Sequence, residues 1–169
     1  VFLLGMMIPV YAMVVPLFSM FNKMGLLNTH LAVIIPHIGI AFPMAIFIMT
    51  GFMGSLPREM EEAAVMDGCN IYQIFFKIIM PISKSSIVTV AVVTFINIWN
   101  EYFLSLMFVN SEKLRPVALG LFSMINGMQY SGDWSGLFAS QIIVFLPTFI
   151  LYVLLSKYIV GGLTGGVKG

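Results

Sequence analysis

Two long stretches carry no Asp, Glu, Lys or Arg at all: Val1 to Phe21, and Leu31 to Met53. A helix rises about 1.5 Å per residue, so roughly twenty apolar residues cross a hydrocarbon core of about 30 Å. Two further stretches have the same character. Ser85 to Val109 is interrupted only by Glu101, and Trp134 to Ser156 is uncharged. All four are continuously apolar and lack the period-two alternation of barrel strands, so they are predicted to be helices. Pro9, Pro16, Pro36, Pro43 and Pro147 fall inside these runs. Spanning helices tolerate proline where neighbours satisfy the freed carbonyls. The expected fold is an all-α integral membrane protein: a polytopic bundle in one domain over residues 1–169, with spans near 1–21, 31–53, 85–109 and 134–156.

Composition agrees. The chain is 60% hydrophobic and 9% charged, against about 25% charged in a soluble domain. Membrane lipid is therefore the expected solvent. A net charge of +1 with no basic stripe excludes a nucleic-acid partner. A single cysteine, Cys69, excludes an internal disulfide and a Cys-based zinc site. The chain opens on Val1 inside an apolar run, with no basic region before it and no small-residue cleavage site after it. It reads as a truncated chain rather than one with a signal peptide.

The spans leave Asn22–His30 and Asn110–Asp133 on one side, and Gly54–Lys84 and the tail on the other. The first side holds Lys23, Lys113 and Arg115; the second holds Arg58, Lys77, Lys84, Lys157 and Lys168. The positive-inside rule makes the second side cytoplasmic. Five of the nine residues from Gly161 to Gly169 are glycine, which predicts a flexible tail.

The loop over residues 55–82 is too polar to span. Its first half reads as a short helix: Pro57 suits the first position, Glu59, Glu61 and Glu62 suit the positive N-terminal end, and Arg58 and Glu62 are spaced as an i,i+4 pair. Ala63 and Ala64 are strong helix formers, and Gly68 is a natural stop. Asn70 and Gln73 then form a capping-box pattern. Ile71, Ile74, Phe75, Ile78 and Ile79 make one apolar stripe, ended by Pro81. The prediction is a helix–turn–helix elbow, with the stripe against the spans and the alanine surface free for another protein's groove.

Within the spans, Glu101 stands beside Asn97 and Asn100. Polar groups at that depth are functional candidates. Asn97 and Glu101 share a helical face, while Trp99 and Tyr102 offer aromatic faces of the kind sugar sites use. They form a candidate translocation path, with a helix–helix hydrogen-bond cluster as the alternative. His37, beside Pro36, is expected to bond a backbone carbonyl at a proline kink, and no acidic residue lies at helical spacing to give it a proton role. His30 reads as a solvated loop residue. Met20 and Met24 have a copper-like spacing, but methionine is also a pliable packing residue. No phosphate loop, nucleophile–base pair or metal cluster is present, so the chain is not expected to be an enzyme.

The loop resembles a known family. Glu62-Ala63-Ala64, three residues, Gly68, nine residues, then Ile78-x-Met80-Pro81 is similar to the EAA loop of ABC importer permeases, with Met80 where leucine is usual. Leu56-Pro57-Arg58-Glu59 and Asp67-Gly68 resemble the carbohydrate-uptake, maltose-type branch, the binding-protein-dependent transport inner-membrane components. Trp99-Asn100-Glu101-Tyr102 resembles that branch's Trp-Asn-acid-aromatic motif, and Gly162 to Gly169 its C-terminal tail. Members have six spans, so this chain looks like spans three to six. The resemblance implies a permease that imports a sugar or related solute across the cytoplasmic (inner) membrane of a prokaryote, with loop and C-terminus cytoplasmic. It implies three partners: an ABC ATPase dimer carrying the ATP and magnesium, a second permease chain different from this one, and an extracytoplasmic solute-binding protein. The coupling residues it implies are Glu62, Ala63, Ala64, Asp67, Gly68, Ile78 and Pro81. Other solutes, such as a polyol or glycerol phosphate, and a non-transporting scaffold are the competing readings.

Overall fold

The apolar runs fold as helices, and prolines and side-chain amides decide where those helices break. The structure is a computed structural model. It describes the backbone of residues 2–164 and their side chains except those of residues 2, 129, 131 and 157–164.

The first run is not one helix. A tight 3-10 turn over Phe2–Met7 precedes α1, Val10–Lys23, and the two are separated by Pro9 in an extended conformation. Proline pushes the residue before it out of the helical region, which explains the break. The turn packs on α2, and a Cβ at Gly5 would lie 2.9 Å from Cγ of Pro43. Only glycine permits that approach. Helix α2, His30–Gly54, is unbroken over 25 residues, about 37 Å. Its Pro36 and Pro43 lie within the helix and are buried with Ala32.

The elbow follows as predicted in outline: α3 is Arg58–Met66 and α4 is Ile71–Ile82. A bend of 67° leads from α4 into α5, Lys84–Trp99. The expected continuous span over 85–109 is divided. Asn100 donates both its backbone N–H (3.2 Å) and its side-chain amide (2.8 Å) to the Ile96 carbonyl, closing α5. A short helix α6, Phe103–Phe108, then restarts after the break. Nor is 110–133 simply a loop. It contains α7, Val117–Ser131, entered after Pro116 and ended by Gly132 at φ 62°. Asp133 then caps α8, Trp134–Thr164, its carboxylate accepting from the Gly136 N–H at 3.0 Å. The α8 helix runs eight residues beyond the expected end at Ser156 and takes in Gly161 to Thr164, so these four glycine-tail residues are helical. Residues 165–169 of the expected tail lie outside the described residues.

Among the described residues, α2 and the Trp134–Ser156 part of α8 are long and apolar enough to cross a membrane, and the bent pair α4–α5 is a third candidate. The fold is an all-helical membrane bundle, as expected, but α1 is shorter than the sequence suggested and the span expected over 85–109 is broken into α5 and α6. Helix α5 lies along α8 and also against α2. The packed core sits where α1 ends and α2 begins: Val14, Phe21, Ala32, Leu104 and Phe108 are buried together, with the Phe21 and Phe108 rings edge-to-face at 5.5 Å.

One side chain ties this end shut. Asn28 adopts the left-handed conformation, φ 59°. Its N–H donates to the Phe108 carbonyl at 2.8 Å, and its Oδ1 accepts from the N–H groups of Asn110 (3.0 Å) and Ser111 (2.8 Å). Replacing Asn28 by glycine keeps the backbone conformation and removes the Oδ1 acceptor. The expected cost is about 1–2 kcal/mol, read as a lower thermal midpoint of the full-length protein in detergent. Asn28→Ala is expected to cost about 1 kcal/mol more, because alanine resists positive φ.

Candidate functional sites: the elbow and a polar cavity

The turn of the elbow is fixed by backbone chemistry. Helix α3 ends with the Cys69 N–H donating to the Ala64 carbonyl and the Gly68 N–H donating to the Val65 carbonyl, both at 3.0 Å, with Gly68 at φ 79°. This is a Schellman ending, which needs a left-handed residue at the position of Gly68. Asn70 starts α4 at once. Its Oδ1 accepts from the Gln73 N–H and its own N–H donates to Gln73 Oε1, each at 2.9 Å. Two short helices thus meet with no slack between them.

The elbow does not sort its surfaces quite as the sequence suggested. Glu62 and Ala63 are exposed, but Ala64 is buried at 4% exposure. Its carbonyl is taken by the turn and the residue is buried, so Ala64 does not belong to the free surface. Val65 and Met66, 60% and 87% exposed, do. Asp67 is exposed, and Arg58 and Glu62 form no ion pair among the described residues. The isoleucine stripe is buried progressively: Ile71 is 76% exposed, Ile78 intermediate and Ile79 only 5%. The far end alone rests against the bundle. Before Pro81 the helix widens into a π-type turn over Phe75–Ile79, in which the Met80 N–H donates to the Phe75 carbonyl. A proline ring collides with the carbonyl four residues back, and a wider turn relieves this.

The polar residues of α5 divide into two groups. Trp99 Nε1 donates to the Val144 carbonyl of α8 at 2.9 Å, and its ring stacks on Phe95. Asn100 is spent on the Ile96 carbonyl, and Tyr102 stacks on Phe122 of α7 at 4.5 Å. Trp99 and Tyr102 hold helices together, and Asn100 closes its own. Asn97 and Glu101 instead line one cavity of about 140 Å³, between α1, α2, α5 and α6. His37 of α2 lines it too. Its Nδ1 bonds the Val33 carbonyl at 2.6 Å, as expected beside Pro36. Its Nε2 lies 3.5 Å from Glu101 Oε2. The acidic neighbour absent from the helix of His37 comes from 64 residues further along the chain, a contact no local spacing reports.

Residues 1–164 match the family profile of the binding-protein-dependent transport system inner membrane component. The chain belongs to that family. Similar proteins include the probable ABC transporter permease protein YurM of Bacillus subtilis, 36% identical over 98% of this chain and 55% of that protein. The arabinooligosaccharides transport system permease protein AraQ of Halalkalibacterium halodurans is 34% identical over 99% of this chain and 59% of that protein. The trehalose/maltose transport system permease protein MalG of Thermococcus litoralis is 32% identical over 100% of this chain and 61% of that protein. The chain therefore spans little more than half the length of these curated relatives.

In this inner membrane component, the two groups on α5 predict two phenotypes. Trp99→Phe removes the donor to Val144 and is expected to lower stability by about 1 kcal/mol. Asn97→Ala removes no hydrogen bond among the described residues and is expected to leave the thermal midpoint within about 1 °C. Paired melting measurements on the two variants check the division.

Proposed function

We propose that the chain is part of the membrane-spanning permease subunit of an ATP-driven importer for a sugar or related polyhydroxylated solute. The support for solute chemistry is the set of relatives whose names specify arabinooligosaccharides, trehalose or maltose, and diacetylchitobiose. The support for ATP coupling is the elbow. Its rigid turn offers an exposed surface of Glu62, Ala63, Val65 and Met66, a small apolar knob with one anionic edge, suited to a cleft on a separate ATPase subunit. Val65 and Met66 are large apolar side chains exposed at the end of a helix that opens with Arg58, Glu59, Glu61 and Glu62, and exposure of that kind favours a protein contact. The ATP and magnesium reside on that ATPase, a second permease chain completes the path, and a solute-binding protein delivers the solute from outside. The elbow and the C-terminus face the cytoplasm.

Force transmission follows from the same geometry. The Schellman turn and capping box join α3 to α4, and α4 runs into α5 through the 67° bend. A displacement of the knob is carried to α5, on which Asn97 lies, and to Glu101 just beyond it. Asn97 and Glu101 form the polar part of the path in this proposal, while Trp99, Asn100 and Tyr102 keep its walls in register.

Glu62→Lys in the full-length permease is expected to reduce ATPase co-purification at least about tenfold, since like charge replaces opposite charge at an interface. Gly68→Val strains the left-handed position by about 1–2 kcal/mol and is expected to uncouple ATP hydrolysis from uptake while membrane insertion is retained. Normal ATPase assembly and normal uptake by both variants refute the coupling role of the elbow.

A further inference from the structure

The imidazole of His37 presents one nitrogen to a carbonyl and the other to a carboxylate. The Val33 carbonyl, 2.6 Å from Nδ1, can only accept, so Nδ1 carries a hydrogen. In a neutral ring Nε2 is then a bare lone pair. It faces Glu101 Oε2 at 3.5 Å, and neither of these buried atoms has a hydrogen-bond partner among the described residues. Glu101 is not free to turn away. Its Oε1 accepts from the Leu104 N–H at 2.6 Å, at the start of α6. With the ring neutral and the carboxylate ionised, two acceptors oppose each other away from water, and each stays unsatisfied at a cost of about 1–3 kcal/mol. A single proton resolves both. It sits either on Nε2, giving an imidazolium facing a carboxylate, or on Oε2, giving a carboxylic acid that donates to Nε2.

We infer that His37 and Glu101 form a one-proton site within the membrane, and that the bound proton fastens α6 to α2. Among the described residues no other titratable group lines the cavity; Thr94 and Asn97 are its other polar walls. The N-terminal turn packed on α2 contains none either. On α1, Tyr11 meets Phe103 edge-to-face; Tyr102 stacks on Phe122 of α7, and Tyr130 of α7 is exposed at the far end of that helix. The pair therefore titrates with little interference. Loss of the proton leaves two opposed acceptors, and their repulsion widens the Asn97 cavity between α2 and α6. The use of this latch in a transport cycle rests on the function proposed above; the proton itself does not.

The test uses the full-length permease, assembled with its partner subunits in lipid bilayers and labelled with ¹⁵N-histidine and ¹³C-glutamate. Solid-state NMR spectra are followed over about pH 5 to 9, the range in which histidine titrates. The difference spectrum against His37→Gln assigns the His37 nitrogens, and that against Glu101→Gln assigns the Glu101 carboxyl. The expected result is Nδ1 protonated throughout, one further proton shared by the pair, and its loss in one step seen on both residues together. In Glu101→Gln the amide donates to Nε2 in place of the proton, so the His37 step disappears. An unprotonated Nε2 opposite an ionised carboxylate over the whole range overturns the inference, as does independent titration of the two residues. These spectra report the proton whether or not the assembly imports a solute, so failure of the latch and failure of the transport function are distinguished.

Discussion

The arrangement of the polar residues depends on a helix that stops inside the membrane. Lipid offers no partners to a free backbone, so a break at that depth survives only if protein groups satisfy it. Here two side chains do so: Asn100 bonds the Ile96 carbonyl and the Glu101 carboxylate takes the Leu104 N–H. Beyond the far end of α6, Asn28 takes the N–H groups of Asn110 and Ser111. The restarted helix α6 is thereby pressed into the core formed by Phe21, Ala32 and Phe108. Without that break Glu101 would lie on a continuation of α5; with it, the carboxylate faces His37.

The elbow obeys a different logic. It is built from local rules, a left-handed glycine and a reciprocal cap, and needs little from the bundle beyond the seat of Ile79. That independence explains why it was the most legible part of the sequence. Gly68, Asn70 and Gln73 stand where the turn requires them, and the structure uses each as expected. What spacing did not disclose was the allocation of surfaces. Ala63 and Ala64 are chemically alike and adjacent, yet one is exposed and the other is buried, its carbonyl bonded by the Cys69 N–H.

Elsewhere the limit of legibility has a physical cause. Apolarity reports solvent, and so the helical membrane class was readable from the uncharged runs. It does not report continuity. The breaks at Pro9 and Asn100 interrupt runs that remain apolar throughout. Helix α7 was taken for loop although Pro116 and Gly132 bracket it in the order that helix ends favour; its apolar content was weak beside its neighbours. The His37–Glu101 contact was invisible because it joins two helices across 64 residues of chain, and only packing brings them together.

The widened turn at Phe75–Ile79 has a consequence for tolerance of length change. A π-type turn holds about one residue more than an α-helical one, so it is in effect an insertion already absorbed by the fold. Excising one residue there would restore ordinary helical winding and leave the elbow side facing much as it does now, whereas excising one from an α-helical turn would rotate that side by about 100° about the axis of α4. In the second case the chain would remain helical, with its apolar content almost unchanged, yet Glu62 and Met66 would point about a quarter-turn away from their present direction. Tolerance of a lost residue is therefore concentrated in one turn, and is not a property of the knob itself.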